Sequence, residues 1–188
     1  MKRLFVYASL LVVAAALSAQ PAPPPAAPKP PPKSPPSVAS LTIGGKAITI
    51  NYSSPSVNGR AGHIFTKDGL ISHNPHYPVW RAGANAATSL HTEADLVIGG
   101  LTVPSGDYTL FVDISDPDNW VLIISKLTGE WGLGYDPAKD LGRVKMTMSK
   151  PASLVENLAY SLTVPSENTV NLTLSWENYS ASVTMMVH

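Results

Sequence analysis

The residues with the most distinctive chemistry lie in one short stretch, residues 79–88. It combines a large ring, a fixed cation and an amide, at Trp80, Arg81 and Asn85. A guanidinium group offers a planar fork to carboxylates, and a tryptophan face accepts cations or sugar rings. The small residues between them have too little apolar bulk for a core strand and too little periodicity for a helix. The stretch therefore predicts either part of a binding site or a tight crossing of the backbone over a sheet.

Side chains of the same chemical types are spread along the chain, and we combine them into one candidate cleft. Its predicted lining consists of Arg60, Trp80, Arg81, Asn85, Trp131, Asp140 and Arg143. In a chain with only 14% charged residues, we expect each arginine to have an assigned partner. Two interpretations stay open. Bridges from arginine to Asp or Glu could pin two long loops to the domain, or those loops could form a cleft floor.

Catalytic signatures are absent from the sequence. It contains no Gly-x-Ser-x-Gly elbow, no His-Glu-x-x-His motif and no phosphate-binding loop. A hydrolase would have to use Asp136 or Asp140 as general base and Arg81 as anion stabiliser. That alternative requires Asp140 to approach Arg81 and Asn85 in an open concave site. The sequence therefore favours a non-catalytic protein.

We predict no metal and no cofactor. The protein has no cysteine, which excludes disulfides, thiol catalysis, cysteine metal ligands and an acylated cysteine. His73 and His76 could share a metal, but they lie in a proline-containing loop without an acidic third ligand nearby. Asp113, Asp116 and Asp118 could bind calcium, but their spacing matches no known calcium loop and suits an ordinary turn.

The charge balance argues against nucleic acid as a partner. Lys and Arg number 13, as do Asp and Glu, so the net charge is zero. Lys2 and Arg3 belong to a segment that we expect to be removed, which leaves 11 basic residues and a net charge of about −2. No basic stripe remains to neutralise phosphates. Hydrophobic residues make up 44% of the chain, enough for a packed core.

The beginning of the chain indicates export. Lys2 and Arg3 precede an apolar run over residues 4–17, too short for a membrane span, and the small residue Ala19 comes after it. We predict a signal peptide over residues 1–19, a disordered proline-rich linker over residues 20–36, and a single domain over residues 37–188. A retained N-terminal anchor is the alternative. After cleavage we expect no transmembrane span and a periplasmic or secreted protein.

The rest of the chain has a β pattern. Short alternating runs are separated by turn residues at near-regular spacing, and no segment has helix-length periodicity. Val170, Leu172, Leu174 and Trp176 alternate with polar residues and are predicted to share one buried face. The pattern predicts an all-β fold, an antiparallel sandwich or jelly-roll-like domain of about nine or ten short strands, with little or no helix outside the signal peptide.

Several short motifs give the chain a resemblance to a known family. They are Ser53-Ser54-Pro55, Gly59-Arg60, Ile64-Phe65, residues 79–88 and 104–110, Trp120, Lys126, Trp131-Gly132, Tyr135-Asp136, Asp140, Arg143-Val144 and Trp176-Glu177. With these motifs, residues from about 39 to the C-terminus resemble the bacterial domain of unknown function 2911 family. The resemblance implies an exported bacterial protein, often lipidated or secreted, and it implies no established activity.

These observations lead to one expected function and two alternatives. We expect a non-catalytic module of the cell envelope that binds an unknown envelope ligand or protein. In such a module, arginine would bind an anionic or hydroxyl-rich group through two parallel N–H donors, while tryptophan would stack on the ligand. The first alternative is a structural or assembly component of the envelope, in which residues 79–88 are purely a folding device. The second is the hydrolase with Asp136 or Asp140 and Arg81.

Overall fold

A computed structural model describes residues 33–188, so the predicted signal peptide and most of the predicted linker lie outside the described residues. The strands of this part are β1 (Pro36–Ile43), β2 (Lys46–Ser53), β3 (Val79–Trp80), β4 (Thr88–Thr92), β5 (Leu96–Ile98), β6 (Leu101–Val103), β7 (Gly106–Asp113), β8 (Val121–Ser125), β9 (Asp140–Lys145), β10 (Thr147–Ser149), β11 (Val155–Ser166), β12 (Thr169–Glu177) and β13 (Tyr179–Val187). Two 3-10 helices, Ile71–His73 and Pro137–Lys139, complete it. Neither has the length and hydropathy that a membrane-spanning helix needs.

Two antiparallel sheets form the domain. The first has the strand order β1-β2-β4-β7-β8-β9, with β3 paired to β7, and the second has the order β11-β12-β13-β5-β6, with β10 paired to β13. The predicted all-β antiparallel sandwich is confirmed. Residues 33–188 contain thirteen strands rather than nine or ten. The difference arises because β3, β5, β6 and β10 have only two or three residues each, too few to leave an alternating pattern.

The first strand begins at Pro36, a residue that the sequence analysis assigns to the linker. Pro36 pairs with Ser53 across the β1–β2 ladder. Proline is tolerated here because β1 is an edge strand and Pro36 is its first residue. The carbonyl of Pro35 also accepts the N–H of Ser54 at 2.8 Å. These contacts fix the chain entering the domain beside the end of β2.

The core lies between the inner faces of the two sheets, and β12 shows why the sequence predicts it. Val170, Leu172, Leu174 and Trp176 are each at most 2% exposed, while the polar residues between them are half-buried. Alternation of side chains across a strand places all four on the inner face. Full burial of one such aliphatic side chain contributes about 1.5–3 kcal/mol to the free energy of unfolding.

An aromatic cluster joins the two sheets at one end of the sandwich. Phe65 belongs to the long connection between β2 and β3. Its ring centroid lies 4.9–5.6 Å from those of Trp80, Trp120, Trp176 and Tyr179. Trp80 and Trp120 belong to or adjoin the first sheet, whereas Trp176 and Tyr179 belong to the second. Each such ring pair adds about 0.5–1.5 kcal/mol beyond its buried area.

The connection between β2 and β3 is tied to the second sheet before it delivers Phe65. Ser54 Oγ donates to the carbonyl of Leu158 at 2.7 Å, and the N–H of Val57 donates to the carbonyl of Glu156 at 2.7 Å. Farther along, the buried carboxylate of Glu177 accepts the N–H of Gly62. The connection therefore closes one end of the sandwich with hydrogen bonds to β11 and to the end of β12.

A buried hydroxyl also links the sheets. Tyr160 on β11 donates its O–H to the carbonyl of Ala82, just after β3, at 2.9 Å. The ring of Tyr160 packs edge-to-face on Tyr52 of β2, with the centroids 4.9 Å apart. Burial raises the pKa of Tyr160 well above its usual value, because the phenolate would be desolvated. The phenol thus acts as a neutral donor across the sandwich.

Removing this hydroxyl tests its contribution. We expect Tyr160→Phe to lower the free energy of unfolding by about 1–2 kcal/mol at neutral pH, because a buried carbonyl loses a donor. Urea denaturation with an unchanged m-value measures the loss. Above about pH 10 the native protein should also lose stability, because Tyr160 stays neutral when folded but ionises in the unfolded chain. Tyr160→Phe should lose less stability than the native protein over this alkaline range, because it has no phenol at this position.

The control for this prediction is Tyr77→Phe, since Tyr77 is 38% exposed. It should leave both the stability at neutral pH and its decline in alkali nearly unchanged. Equal behaviour of the two variants would contradict the role assigned to Tyr160.

Candidate functional site

An open cleft lies where β2, β3 and β12 end and β11 begins. We call it the end cleft. Its volume is about 960 Å³, and its lining includes Ser54, Arg60, Trp80, Arg81, Glu156 and Trp176. Leu70 and Leu133 also line it and are 42% and 48% exposed, so the cleft offers apolar as well as polar surface. The structure thus brings Arg60, Trp80 and Arg81, three of the seven predicted cleft residues, to one place.

A tight turn after β3 positions Arg81. Ala82 and Asn85 have left-handed φ angles of 53° and 57°. Thr88 Oγ1 donates to the carbonyl of Ala82 at 3.1 Å, and Trp80 Nε1 donates to the carbonyl of Gly83 at 3.2 Å. A Cβ at Gly83 would lie 2.8 Å from Thr88 Oγ1, so any larger residue would displace the Thr88 hydroxyl that holds the turn. The small residues of this stretch therefore form a turn that buries Trp80 and leaves Arg81 half-buried in the cleft.

The two arginines of the end cleft bond to backbone carbonyls. Arg60 donates from Nε to the carbonyl of Val57 at 2.9 Å and from Nη2 to that of Ser56 at 2.6 Å. Arg81 donates from Nη1 to the carbonyl of Gly132 at 3.3 Å. Within residues 33–188, neither guanidinium has a carboxylate at salt-bridge distance. Desolvation by burial lowers the pKa of Arg81, so its charge is incompletely compensated by the fold.

The remaining charges of the end cleft leave it positive. Lys33 and Glu156 also line it. Among the described lining residues, three cations, Lys33, Arg60 and Arg81, therefore face one carboxylate. Glu156 Oε1 accepts the N–H of Asn58 at 2.8 Å. An anionic group would therefore be attracted to this cleft.

Two indole rings form the inner wall of the end cleft. Trp80 and Trp176 are 3% and 2% exposed, and they stack with centroids 5.9 Å apart. Both rings are members of the aromatic cluster, so they belong to the core and do not offer open faces for stacking on a ligand. Trp176 is a lining residue that the sequence analysis placed only in the core. Trp176-Glu177 was one of the motifs of the family resemblance. Neither that motif nor alternation along a strand predicts that Trp176 lines a cleft.

Asn85 and Trp131 lie beside the end cleft and do not line it. Asn85 Nδ2 donates to the carbonyl of Ser34 at 3.2 Å, and its own carbonyl accepts the N–H of Gly132 at 3.2 Å. Trp131 is 65% exposed and forms an isolated β-bridge with Ala86. The contacts of Gly132 and Trp131 dock the connection between β8 and β9 on the turn after β3, and the Asn85 side chain holds the chain that enters the domain.

Asp140 and Arg143 form a separate polar cluster with Asp113 and Tyr135, which we call the outer clamp. Arg143 Nη2 lies 3.1 Å from Asp140 Oδ2, and its Nη1 lies 3.6 Å from Asp113 Oδ2. Tyr135 donates its O–H to Asp140 at 2.9 Å and accepts from Arg143 at 2.6 Å. Burial and the Asp140 carboxylate raise the pKa of Tyr135 to about 12. Arg143 thus pins a long loop to the first sheet, which was one of the two interpretations.

The structure does not bring the acids of the hydrolase alternative to Arg81. Asp140 belongs to the outer clamp and does not line the end cleft. Asp136 Oδ1 accepts the N–H of Ala138 and caps the second 3-10 helix.

The two histidines also hold loops in place. His73 lines the end cleft, with Nδ1 2.9 Å from the carbonyl of Gly69, and His76 Nε2 lies 2.8 Å from that of Leu133. In the acidic loop, Asp116 accepts the N–H of Asp118, which lowers the pKa of Asp116. No group of three or more His, Asp and Glu side chains in the described residues is placed to hold a metal ion.

Comparison with known proteins identifies a family. The family model described as protein of unknown function (DUF2911) matches residues 34–185. No curated protein matches the chain, and no solved structure matches it.

Gly132 is the contact point between Arg81 and the loop that covers it. A Cβ there would overlap Arg81 Cδ and the carbonyl oxygen of Asn85. We expect Gly132→Ala to lower the free energy of unfolding by about 1–3 kcal/mol, because backbone and a held side chain must move. Gly134→Ala is the matched control, since the nearest neighbour of its Cβ would be the flexible Glu130 side chain, at 3.1 Å. Denaturation midpoints compare them, and equal losses would contradict the close approach.

Proposed function

The chain belongs to the DUF2911 family, whose description names no activity, and we propose from the end cleft that it is a non-catalytic ligand-binding module. The observation that carries the proposal is the pair of half-buried guanidinium groups, Arg60 and Arg81, in one open cleft without a carboxylate partner among the described residues. A desolvated cation without a counterion is costly to the fold, and a ligand anion would offset that cost. The ligand class is an anionic or hydroxyl-rich molecule.

The proposed site of action is the cell envelope. Support comes from the signal-like N-terminus and the proline-rich segment next to it. Acidic glycans of the envelope combine the negative charge and hydroxyl groups that the end cleft would recognise. The binding mode differs from the one expected from sequence in one respect. Trp80 is buried in the aromatic cluster, so recognition rests on hydrogen-bond donors and charge instead of stacking on that ring.

A structural or assembly role is the second candidate. Trp131 and Leu133 are 65% and 48% exposed and lie two positions apart on the loop that adjoins the end cleft. A contiguous apolar patch that includes these two side chains would be a surface for a partner. A hydrolase has less support. Glu156 is the one carboxylate among the described cleft residues, and it already accepts the N–H of Asn58.

Arginine substitutions test the binding function. A glycan array with acidic members and a pull-down from envelope extract identify a ligand, and calorimetric titration then measures its affinity. We expect Arg60→Ala and Arg81→Ala each to weaken binding by about tenfold or more, equivalent to about 1.4 kcal/mol, because each removes a charged donor. Arg143→Ala is the control, since that guanidinium is already paired with Asp113 and Asp140 outside the cleft.

The outcomes separate the candidates. Thermal unfolding of each variant checks that the fold is intact. A blank array together with a blank pull-down would refute the binding module. Retention of a protein partner that is lost with Trp131→Ser, but kept with Arg60→Ala, would favour the assembly role.

A further inference from the structure

Two residues that line the end cleft each carry a buried donor with no acceptor among the described residues. The donors are Nε of Arg81 and Nε1 of Trp176. Among side chains of residues 33–188, the other buried polar atom without a partner is Asp140 Oδ1, which lies in the outer clamp. An unsatisfied buried donor opposes folding, and native proteins leave few of them. Two in one cleft therefore indicate a missing acceptor.

The neighbouring indole shows that this feature is specific to Trp176. Trp80 stacks on Trp176 in the same wall, yet its Nε1 donates to the carbonyl of Gly83 at 3.2 Å. The turn after β3 thus satisfies one of two adjacent indoles. Trp176 is 2% exposed, so bulk water does not replace the missing bond.

The anchor of Arg81 uses Nη1 and leaves the buried Nε without an acceptor. Nη1 is held by the carbonyl of Gly132, and the backbone of Gly132 packs so closely on the Arg81 side chain that a Cβ would overlap it. The opposite edge carries Nε and Nη2, whose two N–H groups point in parallel. This side-on fork matches the two oxygens of a carboxylate.

We propose that the inner wall of the end cleft is a carboxylate subsite, in which Arg81 holds the group through Nε and Nη2 and Trp176 donates its Nε1–H to the same group. This inference rests on the binding function proposed above and names its ligand class: a molecule with a carboxylate, such as an acidic sugar. Both nitrogens are shielded from solvent in this structure, so the proposal requires the adjacent lining to move when the oxygen atoms enter.

Desolvation favours a carboxylate over a phosphate here. A phosphate dianion loses more hydration on entering a shielded site, and the subsite offers one guanidinium edge and one neutral donor to compensate it. Glu156 on the same cleft further opposes a second negative charge.

The indole N–H resonances provide a direct readout by NMR. Trp176→Phe identifies the Trp176 resonance in the purified full chain, and Trp80 serves as the internal control because its N–H is already bonded. The probes are glucuronate, acetate, glucose and inorganic phosphate. We expect glucuronate to shift the Trp176 resonance in a saturable way, acetate to do so more weakly, and glucose and phosphate to leave it in place.

Matched variants then test each donor. Trp176→Phe removes the N–H and keeps an aromatic ring in the cluster, at the cost of a small cavity, and Arg81→Lys keeps the charge and removes the fork. Each should weaken glucuronate binding by about tenfold or more, whereas Arg143→Lys should not. Unfolding midpoints confirm that the variants are folded.

The outcomes distinguish this inference from the function on which it rests. A Trp176 resonance unmoved by glucuronate and acetate overturns the carboxylate subsite, as does phosphate or glucose binding as tightly as glucuronate. If the glycan array still yields a ligand that needs Arg60 and Arg81, the binding module stands without this subsite. If the array and the pull-down are blank as well, both proposals fail.

Discussion

The insertion of Phe65 between the sheets is the constraint on which the rest of the structure depends. The connection between β2 and β3 bonds to β11 through Ser54 and Val57 and then places Phe65 against four aromatic rings from both sheets. Since the ring is carried on a loop, the loop itself becomes a wall of the domain. The end cleft exists because this wall stands apart from the turn after β3 while both are fixed to the same cluster.

The turn after β3 serves the fold and the cleft at once. The carbonyl of Ala82 accepts from Thr88 Oγ1 and from the hydroxyl of Tyr160, so the turn is held from its own sheet and from the other one. A left-handed conformation at a non-glycine residue persists only where surrounding contacts overdetermine it. The same contacts that bury Trp80 set the direction of Arg81. A folding device and a binding site were posed as alternatives for this stretch. Its contacts account for the folding device, and the binding site is a proposal with which the same turn is geometrically compatible.

Local periodicity makes the strands predictable from sequence, whereas the docking of loops is not encoded in any local pattern. Alternation in β12 identifies its buried face, because a two-residue period is a property of the strand alone. Partner assignment among the arginines could not be predicted in the same way. It depends on how the loop between β8 and β9 folds back over the first sheet, where Tyr135 meets Asp140 and Arg143. The unpaired N–H of Trp176 could not be predicted for a related reason. Alternation predicts that the ring is buried, but it does not predict which atoms surround the indole nitrogen.

Three arginines differ in whether the fold provides them with a carboxylate partner. Arg143 lies within 3.6 Å of Asp113 and 3.1 Å of Asp140, so its charge is balanced within the fold. Arg60 and Arg81 bond only to carbonyls in the described residues, and these bonds orient the guanidinium groups without neutralising them. Carbonyl dipoles fix direction, whereas a counterion offsets the cost of desolvating a charge. In the outer clamp, by contrast, the guanidinium that holds a loop in place also has carboxylates beside it. Orientation without neutralisation is the arrangement expected of groups that meet their counterion on a ligand.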